Sequence, residues 1–157
     1  MAEVNFVAVG LDDPLAEPLL AELAAEYSGR YGGTPERTMA WLTTAPEQFD
    51  SPDGGLFIGL RDGVPVTGGA FTRFDDQTAE LKRIWTDGRH RQRGYARRLL
   101  AHLEREISDR GYRRVYLTTG PRQPEAEALY SAAGYTRLAS GPPAEDSVAP
   151  IAFQKTL

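Results

Sequence analysis

Alternating apolar and polar positions predict that the chain begins with a strand and two helices. Residues 4–9 form a short apolar run typical of a strand. Apolar residues then recur at helical spacing over residues 15–27, which predicts an amphipathic helix that stops at Gly32-Gly33. The pair Thr34-Pro35 favours the start of a second, shorter helix.

The middle of the chain has the pattern of three antiparallel strands. Residues 56–60 and 64–74 are strand-like runs joined by Asp62-Gly63, a pair that favours a tight hairpin turn. The polar residues 75–77 form the next turn and lead into a third strand over residues 78–86. This part of the chain is therefore predicted to form an antiparallel sheet.

A helix then separates two strands that we expect to be parallel. Apolar residues mark one face of this helix over residues 96–107, and Gly111 ends it. The next strand covers residues 113–119, and a helical crossover between neighbouring strands makes them parallel.

The chain closes with a helix over residues 124–133 and two strands, residues 135–139 and 148–156, around a turn at residues 141–143. The order β-α-α-β-β-β-α-β-α-β-β predicts an α+β fold with a mixed, mostly antiparallel sheet of six to seven strands and about four helices. No repeat or linker divides the sequence, so we expect a single domain over residues 1–157.

Composition narrows the classes of protein that fit. No apolar run reaches the roughly 18 residues of a membrane span, and the apolar run at the N-terminus is too short for a signal peptide, so a cytoplasmic protein is expected. The absence of cysteine excludes disulfides and a cysteine nucleophile. Two histidines are too few to suggest a histidine-built metal site, and no metal is expected.

Positive charge is concentrated in one stretch of an acidic chain. The net charge is −4, yet residues 82–98 hold seven of the eighteen Lys and Arg residues and one acid, Asp87. A solvated basic face, a phosphate site and a nucleic-acid surface would each fit such a stretch. Nucleic acid is disfavoured because the pI is near 5.2.

Within this stretch, Gly94 and Ala96 lie where the strand of residues 78–86 gives way to a helix. Glycine allows unusual backbone angles, and small residues let a ligand approach the main chain. Unsatisfied N–H groups at a helix N-terminus bind phosphate well, and nearby arginines add charge. The loop therefore has the properties of a phosphate cradle, although it is neither a P-loop nor a dinucleotide fingerprint.

Two motifs resemble those of the GNAT superfamily of N-acetyltransferases. Arg91-x-x-Gly94-x-Ala96 is similar to the family's acetyl-CoA signature, and residues 126–135 (AEALYSAAGY) are similar to its second motif. The resemblance covers residue 56 to the C-terminus. It implies a GNAT fold, acetyl-CoA as co-substrate, and a cofactor wedged between two splayed parallel strands, residues 78–86 and 113–119.

The resemblance also implies the cofactor contacts. The pantetheine would pair with the backbone of Ile84, Trp85 and Thr86, and the pyrophosphate would rest on Arg91, Gln92, Arg93, Gly94, Tyr95, Ala96 and Arg97. Two positions depart from the family pattern. Gln123-Pro124 stands where many relatives have asparagine, and Arg97 replaces a hydroxyl residue, so its phosphate contact would be an ion pair.

Tyr130 matches the family's tyrosine that protonates the departing thiolate and lies beside the cofactor. Its ordinary pKa near 10 keeps a phenol protonated until the thiolate forms; ring packing alone is the alternative. Glu80 has the placement of the catalytic base in some GNAT enzymes, with an ion pair to Lys82 or Arg83, or simple solvation, as the alternatives. Alternation counted from Ile84 places Glu80 and Lys82 on the same face of the strand.

Other side chains have weaker claims to a role in the reaction. His90 is expected in solvent, with a phosphate contact as the alternative, and His102 is expected in a structural position. On the acceptor side, Tyr31 and Trp41 would line a pocket or pack in the core, and Asp50 and Asp53 would attract a cationic acceptor or face water. Together these features predict direct transfer of an acetyl group to a primary amine, with a small molecule as the favoured acceptor. The alternatives are a non-catalytic CoA-binding module and an acetyltransferase of protein N-termini or lysines. No nucleic acid or membrane partner is expected, and a homodimer is compatible with the fold.

Overall fold

The computed structural model describes residues 3–120, 124–138 and 151–157, and within them the predicted element order is confirmed. The elements are β1 (Asn5–Ala8), α1 (Glu17–Tyr31), α2 (Pro35–Leu42), β2 (Gly55–Arg61), β3 (Val64–Arg73), β4 (Thr78–Thr86), α3 (Tyr95–Asp109), β5 (Arg114–Thr119), α4 (Pro124–Ala132), β6 (Thr136–Arg137) and β7 (Ile151–Thr156). Short 3-10 turns cover Pro14–Ala16, Pro46–Phe49 and Gly88–His90. The turn predicted at residues 141–143, with the flanking strand residues 139 and 148–150, lies outside the described residues.

The strands form one seven-stranded sheet in the order β1-β2-β3-β4-β5-β7-β6. β4 and β5 are paired in parallel, as the crossover helix predicts, and the other neighbours are antiparallel. The parallel pairing covers three residue pairs, from Thr78–Arg114 to Glu80–Tyr116. Beyond Glu80 the two strands part, so that in the described part of the chain one backbone edge of β4 over residues 81–86 has no strand beside it.

A bulge in β4 changes which face its side chains occupy. Trp85 pairs with Gly68 and Lys82 with Ala70, so two residues, Arg83 and Ile84, lie opposite Gly69. Glu80 and Lys82 share a face, but Ile84 packs on the opposite face, against the leucines of α3. The prediction that Glu80 and Lys82 share a face is therefore confirmed, but Ile84 does not share that face with them, because the extra residue shifts the two-residue period.

Helices cover both faces of the sheet. α3 lies on one face and buries the predicted stripe of Leu99, Leu100, Leu103 and Ile107. On the other face, α1 buries Leu19, Leu20, Leu23 and Ala24 over β2, β3 and β4. A fully buried leucine contributes about 1.5–3 kcal/mol, so these two layers hold the sheet between them. In the described residues, no helix combines the length and apolar character that a membrane span requires.

Candidate active site

A large cleft lies where β4 and β5 part. It has a volume of about 1310 Å³ and is lined by residues 81–86 of β4 and residues 117–120 at the end of β5. Side chains of α1, α2 and α4 form its walls, and the loop that leads into α3 closes one end. The parting of the two strands thus opens a cleft along the edge of β4, which no other described strand pairs with over residues 81–86.

The loop before α3 presents backbone donors to this cleft. Gln92 and Gly94 have φ angles of 62° and 81°, and Gly94 is the N-cap of α3. Gly94 has no side chain with which to cap this helix, so in the described part of the chain the first amides of α3 are available as donors with the helix dipole behind them. A Cβ built on Gly94 would meet nothing within 4 Å. The donor set therefore fits a phosphate group.

Glu22, on α1, connects this helix to the loop through hydrogen bonds and an ion pair. Its carboxylate accepts hydrogen bonds from Trp85 Nε1 at 2.9 Å and from the Gly88 backbone N–H at 2.8 Å. Arg91 lies 3.8 Å from Glu22 and from Glu26, two long ion pairs. Glu22 was not predicted as a site residue; the available signal was a carboxylate on the edge of the apolar stripe of α1.

A second contact, between His90 and Asp87, stabilises the loop internally. His90 Nδ1 lies 2.5 Å from Asp87 Oδ2. Burial opposes ionisation of Asp87, but the His90 hydrogen bond and Arg89 outweigh it, so the pKa of Asp87 is lowered. His90 lines the cleft rather than facing solvent alone. Behind the loop, Arg61 donates to the Tyr95 hydroxyl at 3.1 Å.

Most of the predicted cofactor residues line this one cleft: Ile84, Trp85, Thr86, Arg91, Gln92, Gly94, Tyr95, Ala96, Arg97 and Tyr130. Arg93 is exposed and does not line it. Gln123 lies outside the described residues. Side chains that sequence analysis did not single out also line the cleft, among them Glu26, Arg37, Arg83, Glu125 and Leu129.

Tyr130 is buried, with 5% of its surface exposed. Its ring packs against Tyr135 and Phe153, with centroids 5.7 and 5.9 Å away. Burial, with a smaller effect from nearby Tyr27, raises the pKa of Tyr130 well above its usual range. The residue thus packs as a core tyrosine and lines the cleft as a protonated phenol.

Glu80 lies apart from Tyr130. It lines a smaller pocket of about 360 Å³ together with Asp50, Asp53 and Lys82. Lys82 lines both pockets and donates to Gln48 Oε1 at 3.4 Å. Within the described part of the chain, no ion pair joins Glu80 to Lys82 or Arg83, and no group of three or more His, Asp or Glu side chains could hold a metal ion.

The sequence model of the "Acetyltransferase (GNAT) family" matches residues 17–135. The chain belongs to the GNAT acetyltransferase family. The match includes the whole cleft, from α1 to the Tyr130 motif, and confirms the predicted enzyme class and, at the level of the family, its acetyl-CoA co-substrate. No curated protein matches the chain at a significant level.

Solved structures share the GNAT fold over the full length of the chain. An acetyltransferase from Thermus thermophilus has a TM-score of 0.76 at 20% identity and covers 100% of both chains. The PaiA N-acetyltransferase of Thermoplasma acidophilum, solved with coenzyme A, has a TM-score of 0.75 at 15% identity and covers 98% of this chain and 99% of its own. A GNAT acetyltransferase from Elizabethkingia anophelis with acetyl-CoA bound has a TM-score of 0.67 at 14% identity and covers 99% of each. At these sequence identities, the structural similarity shows a shared fold alone.

In this GNAT acetyltransferase, aromatic side chains form the wall of the cleft on the side of α1 and α2. Tyr31 and Trp41 line the cleft with 38% and 59% of their surfaces exposed, so neither is a core residue. Tyr27 lies between them, with ring centroids 6.5 and 6.4 Å away. His102 is structural, as predicted, since it stacks on Phe6 at 4.6 Å far along α3.

Proposed function

We propose that this GNAT acetyltransferase transfers the acetyl group of acetyl-CoA to the primary amine of a small molecule, by direct attack in a ternary complex. The observation that carries the proposal is that three features meet in one cleft. These are the parted strands β4 and β5, the uncapped N-terminus of α3 and the buried phenol of Tyr130. Two structures of this fold hold coenzyme A or acetyl-CoA, which supports the choice of donor.

In this proposal the free edge of β4 holds the pantetheine arm. Ile84 to Thr86 offer backbone groups to its amides as a neighbouring strand would. The amides at the start of α3 hold the pyrophosphate, and Arg91 exchanges its long ion pairs with Glu22 and Glu26 for a phosphate oxygen.

The chemistry requires two proton movements. The amine nitrogen attacks the thioester carbonyl, the C–N bond forms, the C–S bond breaks, and the thiolate takes up a proton while the nitrogen loses one. Tyr130 is the proposed donor to sulfur. Its raised pKa keeps the phenol protonated until the C–S bond breaks and a thiolate develops beside it. The phenol then donates to sulfur, and the phenolate, which the same apolar surroundings disfavour, regains a proton from solvent before the next turnover.

Glu80 is the proposed acceptor of the proton that leaves the amine, acting through water. Lys82, two residues further along β4, lines both pockets, so the pocket of Glu80 adjoins the cleft there. Glu26 is the other carboxylate to be tested as the base, because it lines the cleft itself, although it already pairs with Arg30 at 3.2 Å. If Glu80 is the base, Glu80→Gln lowers kcat by about 10²-fold; an unchanged kcat, with a loss in Glu26→Gln, would assign the step to Glu26.

The proposal is tested by CoA release across a panel of amines, with acetyl-CoA binding measured by calorimetry. We expect Tyr130→Phe to lower kcat about 10²- to 10³-fold with little change in acetyl-CoA affinity. Tyr135→Phe is the matched control: Tyr135 is equally buried, but its hydroxyl donates to Glu104 at 3.0 Å, outside the cleft. Equal kcat values for wild type and Tyr130→Phe would refute the donor role.

The same assay separates the alternatives. Acetyl-CoA binding without turnover of any amine or peptide would indicate a non-catalytic module. Turnover of peptides alone would assign the enzyme to protein N-termini or lysines. Absence of acetyl-CoA binding would refute the proposal as a whole.

A further inference from the structure

Arg83 is a partly buried cation that has no acidic partner in the described part of the chain. Its Nε and Nη2 atoms donate to the Leu42 carbonyl oxygen at 3.2 and 3.1 Å. The guanidinium lies over the rings of Trp41 and Phe49, 4.9 and 5.6 Å from their centroids. These contacts hold the group in place, but they supply no negative charge.

The backbone conformation at Arg83 is energetically unfavourable. Arg83 is the bulged residue of β4, with a φ of 60° in the left-handed region. A residue with a Cβ costs about 1–2 kcal/mol there. The bulge turns Arg83 toward α2, where it lines the cleft, and burial lowers its pKa because no carboxylate offsets the lost solvation. A guanidinium nonetheless stays charged in proteins.

Other arginines already pair with the carboxylates that line the cleft. Glu26 lies 3.2 Å from Arg30 and 3.8 Å from Arg91. Glu125 forms a short ion pair with Arg30. Among the described residues, the carboxylates of the cleft are thus engaged away from Arg83, and three of its five N–H donors take no part in the bonds to Leu42.

We propose that Arg83 binds a carboxylate of the acceptor, and that the acceptor is an amino acid rather than an amine without an acid group. This inference rests on the proposed function and narrows its substrate class. The planar guanidinium matches a carboxylate through paired N–H donors. The exposed faces of Tyr31 and Trp41 line the same part of the wall and would contact an apolar side chain of the amino acid. Polyamines carry no group for Arg83 to bind and would be repelled by it.

The test compares amine pairs that differ only in the carboxylate: L-phenylalanine with 2-phenylethylamine, L-methionine with 3-(methylthio)propylamine, and L-lysine with cadaverine. CoA release is measured at equal concentrations of the neutral amine, so that differences in the protonated fraction do not enter. For wild type we expect kcat/KM to be about 10- to 100-fold higher for the amino acid in at least one pair. Equal or lower values for all three amino acids would overturn the proposal.

Two variants assign the preference to Arg83. Arg83→Gln should raise KM for the preferred amino acid about 10- to 100-fold, whereas KM for the paired amine should stay the same or fall, because the variant no longer repels a cation. KM for acetyl-CoA is measured alongside, to show whether the cofactor site is intact. Arg83→Lys keeps the charge but not the fork, so an intermediate KM is expected. Arg105→Gln, on the exposed face of α3, is the matched control. Equal losses for both members of a pair would show that Arg83 has only a structural role.

A binding measurement keeps this inference separate from the proposed function. If no amine releases CoA, calorimetry of the same compounds with the CoA-loaded protein replaces the assay. Amino-acid binding that Arg83→Gln weakens would support the carboxylate site, although the turnover proposal had failed. If amino acids do not bind, or bind equally well to Arg83→Gln, the proposal that Arg83 binds a carboxylate is overturned.

Discussion

Gly94 and Gly63 form a matched pair that can separate backbone strain from cofactor binding. Gly94, the N-cap of α3, has a φ of 81°, and Gly63, in the turn between β2 and β3, has a φ of 80°. A Cβ built on either residue meets no atom within 4 Å. Gly94 lines the cleft and Gly63 does not. Substitution by alanine therefore imposes the same strain at two sites that differ in their distance from the proposed phosphate cradle.

The expected loss of stability is the same for both variants. Forcing a Cβ into the left-handed region costs about 1–2 kcal/mol, and for a chain of this length 1 kcal/mol lowers Tm by about 2–4 °C. Gly94→Ala and Gly63→Ala should therefore each lower Tm by several degrees, as measured by thermal unfolding.

Only Gly94→Ala should weaken acetyl-CoA binding. Its methyl group projects beside the first amides of α3, and displacing the pyrophosphate from one charge-assisted hydrogen bond costs about 1.5–3 kcal/mol, or roughly 10- to 100-fold in Kd. Calorimetry of both variants with acetyl-CoA measures this difference. If Gly94→Ala lost stability as expected but bound acetyl-CoA as tightly as Gly63→Ala, the phosphates would not lie on this loop.

Two further predictions concern Glu22 and His102. Glu22→Gln should destabilise the protein by about 1–2 kcal/mol and weaken acetyl-CoA binding, because an amide cannot accept from both Trp85 and Gly88 as the carboxylate does. Glu36→Gln, at an exposed position of α2, is the control, and equal Tm values for the two variants would contradict the role of Glu22. His102 has its pKa lowered by burial, so the folded state favours the neutral ring, and stability should be lost as pH falls below about 6.5. His102→Leu should reduce the fall in Tm between about pH 7.5 and pH 5, and an undiminished fall would show that other groups cause it.

Local signals explain why much of the fold and of the cradle could be predicted. The hairpin turn at Asp62-Gly63, the apolar stripe of α3 and the Gly94 turn each depend on residues close together in the chain. The parallel pairing of β4 and β5 followed from the helix between them, since a crossover leaves little choice of direction.

Long-range packing decided the rest of the site. The bulge at Arg83 depends on the register of β4 against β3, which no neighbour in sequence reveals, and it moved Ile84 to the face opposite Glu80. Glu22 meets Trp85 only because α1 docks over β4, sixty-three residues away in the chain. Likewise, the placement of Glu80 in a pocket beside the cleft followed from the position of the Pro46–Phe49 turn.

By itself, then, the sequence determined the order of the elements, because turn residues and helical stripes act over a few positions. The donor of the reaction followed from the resemblance of two motifs to those of the GNAT family. The tertiary structure decided which charges are paired across the cleft and which are not. That outcome depends on distances between α1, α2, β4 and α4, and those distances are set by how the helices pack on the sheet. Arg83, one arginine among seven basic residues in its stretch of sequence, becomes distinctive only there, as a cation held by Leu42 and two aromatic rings with no acid to balance it in the described part of the chain.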